Sequence, residues 1–291
     1  MDNIALFNIA WGLLRELRNN PKPELFHYTS SDGLLGIVNS KEFWMTKISH
    51  LNDRKEFHLT IDAFLELFQK HVNTDTRRKL LGNLQSKFKN LRNHPEFYVL
   101  SLSEQRDQLS QWRAYTPSSG GYCLGFKTDN LRKLADENRC TFGRCVYKIS
   151  KREDLLMELI EPAFELLKNQ DNQSEDKVVN DVGFQLTTCV LSLACLIKDQ
   201  SFEEEKEWRM IQGPMVASKR APINFHTTRG YLIPHLPFKL STNNIPLELH
   251  SVSIGPTPEL EMSKQALETF LKVKGLKNCI VKETKTPYRN W

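Results

Sequence analysis

Residues 202–211 read Phe-Glu-Glu-Glu-Lys-Glu-Trp-Arg-Met-Ile, and their charges follow the two-residue period of a β-strand. As a strand, the run sends Phe202, Glu204, Lys206, Trp208 and Met210 to one face and Glu203, Glu205, Glu207, Arg209 and Ile211 to the other. Glutamate is a poor strand former, so carboxylates at this spacing leading into an apolar end need a cause other than local propensity. A binding or catalytic surface is one such cause. A solvated edge strand, whose charges discourage pairing with other chains, is the plainer one, and Arg209 on the same face permits a simple ion pair.

The flanking pattern sets the fold into which such a strand must fit. Residues 4–17 form an amphipathic helix ended by Pro21 and Pro23, residues 25–29 a short strand, and Ser30 or Ser31 caps a helix through Leu34, Leu35, Ile37 and Val38. Extended segments are expected at 43–45, 97–103, 121–127, 144–149, 230–233, 248–254 and 278–282, with helices at 107–115 and 259–273. Two charged helical stretches interrupt them. Residues 53–94 carry an apolar face of Phe57, Ile61, Phe64, Leu65 and Phe68, and residues 151–199 repeat Val179, Val182, Leu186, Val190, Leu193 and Ile197 at helical spacing around a polar loop at 169–176. The expectation is α+β, a single domain over 1–291 with an N-terminal helix at 1–20 and helical insertions at 53–94 and 151–199.

A chain of 291 residues with 40% hydrophobic and 26% charged side chains can bury a full core, and a net charge of +5 tolerates an anionic partner without marking a dedicated nucleic-acid binder. The six cysteines are neither dense enough for a secreted disulfide scaffold nor paired like zinc ligands, so they read as buried thiols in a reducing compartment, with no metal. Cys140 and Cys145 come nearest to a metal pair but find no second pair. No run approaches the ~20 apolar residues of a membrane span. The chain is therefore expected to be cytoplasmic, with no membrane partner.

Four groups of residues could carry chemistry. His27, Tyr28 and Thr29 end a strand just before a helix N-terminus, where an imidazole can bind a ribose or carboxamide, or simply satisfy backbone. Asn52, Asp53 and Glu56 are adequately explained as a helix cap. Ser101 and Ser103 share one strand face and are followed by Asp107, Trp112 and Tyr115, whose rings could stack on a flat ligand. Trp112 lies three residues after Leu109 and fits core packing better; Tyr115, beside the Gly-rich turn at 117–121, is the better ligand candidate. Glu205 and Glu207 are the sharpest pair: one carboxylate aimed at a sugar C1 can stabilise oxocarbenium character while the other orients or deprotonates an acceptor.

With these residues in view, the chain resembles the bacterial family called domain of unknown function 2971. The resemblance runs through His27-Tyr28-Thr29, Leu51-Asn52-Asp53, the serine strand with Asp107, Trp112 and Tyr115, the strand at 121–126 and Glu205-Lys206-Glu207-Trp208-Arg209, and ends at Gly255-Pro256 and Pro287-Tyr288-Arg289. That family is distantly similar to the ADP-ribosyltransferase fold, in which a split β-sheet core with flanking helices grips NAD. The resemblance implies His27 and Thr29 on the first strand, with His27 holding the nicotinamide ribose. Ser101, Ser103 or Tyr115 would line the pocket, and Glu207, preceded by Glu205, would promote loss of nicotinamide. Arg54 stands where many members carry proline, and Tyr28 replaces the glycine common after this histidine in the transferases.

The leading expectation is an NAD-dependent ADP-ribosyltransferase or NAD glycohydrolase, of the kind often found among bacterial toxins and phage-defence effectors. Glu207, Glu205 and His27 are the catalytic candidates, and His27, Tyr28, Thr29, Ser101, Ser103, Trp112, Tyr115 and Arg209 would bind NAD as substrate, with protein or RNA as acceptor. Two alternatives use the same fold. One is a non-catalytic nucleotide or RNA sensor, served by Arg106, Arg113 and Lys127; the other is an NAD-dependent RNA 2'-phosphotransferase, which needs convergent basic residues.

Overall fold

The computed structural model describes residues 4–51, 56–92, 96–118, 120–168, 173–213, 222–228, 230–243 and 245–286. Helix α1 (Ala5–Leu17) buries Leu6, Ala10, Leu13, Leu14 and Leu17, a stripe at spacings of three and four that pins one side of it to the core. Strand β1 (Glu24–Thr29) leads into α2 (Ser31–Ser40), whose first turn is capped by the Ser30 hydroxyl accepting from the Gly33 amide at 3.1 Å. After β2 (Glu42–Lys47) come α3 (Glu56–Lys70) and α4 (Asp75–Arg92), then β3 (Tyr98–Ser103), α5 (Leu109–Tyr115), β4 (Tyr122–Lys127), α6 (Thr128–Glu137) and β5 (Thr141–Arg144). Helices α7 (Ile149–Lys168) and α8 (Glu175–Ala194) precede β6 (Glu207–Gln212), β7 (Asn224–Thr228), β8 (Tyr231–Lys239), β9 (Ser251–Ile254), α9 (Leu260–Val273) and β10 (Ile280–Glu283).

The fold is α+β, with helices on both faces of a mixed, open sheet. Antiparallel pairings dominate it; among the described strand pairs β9 with β10 is parallel, and an isolated parallel bridge joins Val146 to Ile197. Along β3, Val99 faces one apolar layer with Ile211 while Leu100 and Leu102 face the other with Trp208 and Met210. The first layer collects α1, α3, α4, α7 and α8; the second collects α2, α6 and α9. The two helical insertions, far apart in sequence, therefore combine on one side of the sheet. Helix α8 is the hub, touching α1, α3, α4 and α7, which explains why both of its flanks are apolar.

Several local expectations shift. The strand expected at 144–149 is β5, three residues earlier, and α7 already begins at Ile149. Helix α6 and strand β7 were not anticipated; α6 is strongly charged, and only Leu131, Leu134 and Ala135 mark its buried side. Most consequential is the carboxylate run. Residues Gln200–Glu205 form a 3₁₀ helix, capped by Asp199 accepting from the Ser201 amide at 2.9 Å, and strand begins only at Glu207. Lys206 turns the chain between them in the left-handed region at φ 43°. Poor strand formers thus take a capped turn, and the alternation of faces expected from Phe202 onward holds only from Glu207.

Three strands continue outward from β1, in the order β4-β9-β10, and Gly255 closes this arm against α5. Its amide donates to the Gly121 carbonyl at 2.9 Å, and a β-carbon there would lie 2.6 Å from Cζ3 of Trp112, which is fully buried. Gly255→Ala should therefore destabilise by about 1–3 kcal/mol through overpacking. A urea midpoint equal to that of the unmodified chain would contradict this contact. No helix among the described residues is long and apolar enough to cross a membrane.

Candidate functional site

A division of the sheet makes the site. Ser103 of β3 pairs with Phe26 of β1 on one edge and Glu207 of β6 on the other, whereas Val99 pairs with Thr46 of β2 and Ile211 of β6. Strands β1 and β2 therefore share the edge of β3 opposite β6, at its two ends. The middle of β3 pairs with neither along that edge. His27 fills the gap, its Nδ1 lying 3.0 Å from the Ser101 carbonyl oxygen and its ring meeting Phe43 edge-on at 4.7 Å. A carbonyl only accepts, so Nδ1 carries the hydrogen and Nε2 is left as an acceptor. Burial lowers the His27 pKa, and the backbone bond offsets this only in part, so the ring is neutral at pH 7.

A cavity of about 160 Å³ opens at this division. His27, Ser101, Ser103, Tyr115, Glu205 and Glu207 all line it, so the residues expected to act together meet in one place. Strand parity explains the wall: Phe26 and Tyr28, Trp44 and Thr46, and Ser101 and Ser103 all share the face carrying Glu207.

Glu207 sits at the base, 5% exposed. Arg209 donates to it through Nε at 2.7 Å and Nη2 at 3.0 Å, while its Nη1 bonds the Cys195 carbonyl beyond the end of α8 at 2.8 Å. Lys198 Nζ approaches Glu207 Oε2 at 2.9 Å and also pairs with Glu205, bridging the two carboxylates. Burial would raise the Glu207 pKa, but Arg209, Lys198 and a hydrogen bond from Ser101 bring it down to about 2. The stabilisation linked to this carboxylate is therefore complete above its ordinary value of 4.5 and is lost as the pH falls toward 2. Urea midpoints measured between about pH 6 and pH 3 should fall, with a shallower fall in Glu207→Gln.

Glu205 reaches the cavity from the 3₁₀ turn rather than from the strand. Its backbone carbonyl accepts from the Ser103 hydroxyl at 2.6 Å, and the Tyr115 hydroxyl lies 3.5 Å from its Oε1. Burial, followed by the charges of Glu205 and Glu207, pushes the Tyr115 hydroxyl up to about 12, so it remains a donor at neutral pH. Tyr115 is 39% exposed and stands at the cavity's rim.

Of the other expected binders, Tyr28 borders the cavity with its ring alone, and Trp112, Thr29 and Arg209 do not line it. Trp112 is buried beneath Tyr28, edge-on at 4.7 Å, with its indole N–H donating to Asp107 at 2.8 Å; it has no face free to stack on a ligand. The hydroxyl of Tyr28 is engaged with the Gln105 carbonyl at 2.7 Å and the Gln108 amide at 3.0 Å, so only its ring borders the cavity. Thr29 pairs with Tyr122 at the end of β1 and does not line the cavity, and Arg209 lies behind Glu207. Asp107 instead fastens the chain beyond β10, accepting from the Lys285 amide at 2.7 Å and the Thr286 hydroxyl at 3.0 Å. Asn52, Asp53 and Arg54, the residues 169–172 of the expected loop, Ser119 of the Gly-rich turn, and Pro287-Tyr288-Arg289 lie outside the described residues.

Trp44 was missed by the sequence reading. It is 49% exposed, lines the cavity and stacks on His226 and His235 at 4.8 and 4.6 Å. The signal was present: Trp44 alternates with Phe43 and Met45, both core residues, so a large aromatic had to face the other way.

A family model described as protein of unknown function (DUF2971) matches residues 111–210. Over that stretch the chain is similar to domain of unknown function 2971. The DUF2971 match takes in α5 with Tyr115, the strands β4 and β5, helix α8 and the pair Glu205 and Glu207. His27, Ser101 and Ser103 come to the same cavity from outside it. No curated protein and no solved structure matches the chain.

Proposed function

We propose that this protein is an NAD-dependent ADP-ribosyltransferase or NAD glycohydrolase on an ADP-ribosyltransferase-like split sheet. The observation that carries this reading is the meeting of His27, Ser101, Tyr115, Glu205 and Glu207 at the division between β1 and β2. The cavity is smaller than the ~300 Å³ at which sites for drug-sized ligands begin, so it suits the nicotinamide ribose end rather than a whole dinucleotide. Neutral His27 offers Nε2 to a ribose hydroxyl. Trp44 offers an aromatic face to a flat ring.

In the proposed reaction the glycosidic bond breaks with its electron pair on the departing nicotinamide, and positive charge develops at the ribose C1. Glu207, ionised at any physiological pH and held rigid by Arg209, opposes that charge. An acceptor hydroxyl or water then bonds to C1 and gives its proton to Glu205. Protein, RNA or water could supply the oxygen.

One observation favours a second reading, a nucleotide sensor that does not cleave. Two cations neutralise Glu207, which weakens its field at C1. Calorimetry with NAD and ADP-ribose, paired with a nicotinamide-release assay on the intact chain, separates the two. Release of nicotinamide is expected; heat of binding without release would favour the sensor, and neither signal would remove both.

A further inference from the structure

A mostly apolar cavity lies away from this site, between α1, the start of β5 and α8, with a volume of about 490 Å³. That is within the ~300–1,000 Å³ that encloses drug-sized ligands. Rings of Phe7, Trp11, Phe97 and Phe142 line it, together with Leu14 and Ile211. Its rim is cationic, carrying Arg15, Arg18 and Arg139. Arg18 is committed to Asp136 through two bonds at 2.7 and 2.8 Å, so these two charges cancel.

Arg15 and Arg139 have a plain alternative use. Both stand at helix C-termini, of α1 and α6, where cations complement the dipole. Each helix end, however, carries only about half a negative charge, so two arginines overcompensate two ends by roughly one unit. Arg139 also occupies the left-handed region at φ 57°, just past the α6 terminus, where glycine is the usual residue. A guanidinium stands there despite the backbone preference, as the Lys41 ammonium does after α2. We propose that this cavity binds a small amphiphilic monoanion, its apolar body among the rings and its carboxylate or phosphate head between Arg15 and Arg139.

The proposal is independent of the NAD reading, and its test needs no turnover. Calorimetry on the intact chain would compare decanoate with decanol and 2-naphthoate with 2-naphthol, which distinguishes a chain-like from a flat body at constant head group. The acid of at least one pair is expected to bind ~10-fold or more tightly than its alcohol, as a charge-assisted contact requires. Arg139→Gly should abolish that preference while raising Tm by ~2–4 °C, because glycine relieves the backbone. A merely structural arginine would lose neither acid affinity nor selectivity. Ala10→Phe, which fills the cavity from α1, should remove binding of acid and alcohol alike in a chain that melts cooperatively. Equal affinity for acid and alcohol, no binding by either pair, or acid selectivity that survives Arg139→Gly would each overturn the assignment.

Discussion

Arg209→Ala is expected to lower the free energy of unfolding by about 3–5 kcal/mol, the range for removing one partner of a buried ion pair. The magnitude follows from what is left behind. Arg209 is 2% exposed and supplies two hydrogen bonds to Glu207 and one to the Cys195 carbonyl, so its loss strands a carboxylate lone pair and a carbonyl in a buried setting. Lys198 remains near Glu207 but is shared with Glu205 and neutralises neither fully. Replacing both partners, as Arg209→Met with Glu207→Gln, should cost less than the sum of the two single changes, because no uncompensated charge is then buried. Urea unfolding of the four proteins of this cycle measures the coupling. A double variant as unstable as the sum would show that the two side chains act independently.

The same cluster shows how far sequence alone reaches. The apolar stripes of α1 and α8 and the serine cap of α2 follow from short-range pattern, and these elements lie where spacing put them. Glu205 and Glu207 line one cavity, but a 3₁₀ helix and a left-handed Lys206, not the continuous strand expected from the alternation, bring Glu205 there. Short-range alternation cannot distinguish these, because i and i+2 carboxylates read alike in strand and in an irregular turn. The cations were harder still. Lys198 lies in the segment after α8 and Arg209 on β6, and their convergence depends on how the second insertion folds back on the sheet. Trp112 is the reverse case: its spacing from Leu109 favours core packing over stacking on a ligand, and it is buried with its indole bonded to Asp107, a partner that spacing does not reveal. The division at β3 likewise requires knowing that β1 and β2 share an edge, which no single segment encodes.

Glu207→Gln should reduce nicotinamide release from NAD by ~10²–10⁴-fold, the range for removing a charge that stabilises a transition state or a general acid–base group. Glutamine keeps the shape and one acceptor oxygen but removes the charge that would oppose the developing cation at C1. It also leaves Arg209 and Lys198 facing a neutral amide, so part of any loss could be structural, and the thermal melt of the variant must be recorded beside its rate. Glu205→Gln provides the separating comparison. There Lys198 keeps Glu207 as partner, and Glu205, at 12% side-chain exposure, is the less buried of the two. If Glu205 accepts the proton of the attacking group, this change should slow transfer to an acceptor more than release into water, whereas a collapse of the cluster would slow both equally. Retention of full nicotinamide release by a folded Glu207→Gln protein would leave Glu207 as the buried counter-ion of Arg209 and nothing more, and the cavity would then be a place where a nucleotide is held rather than cut.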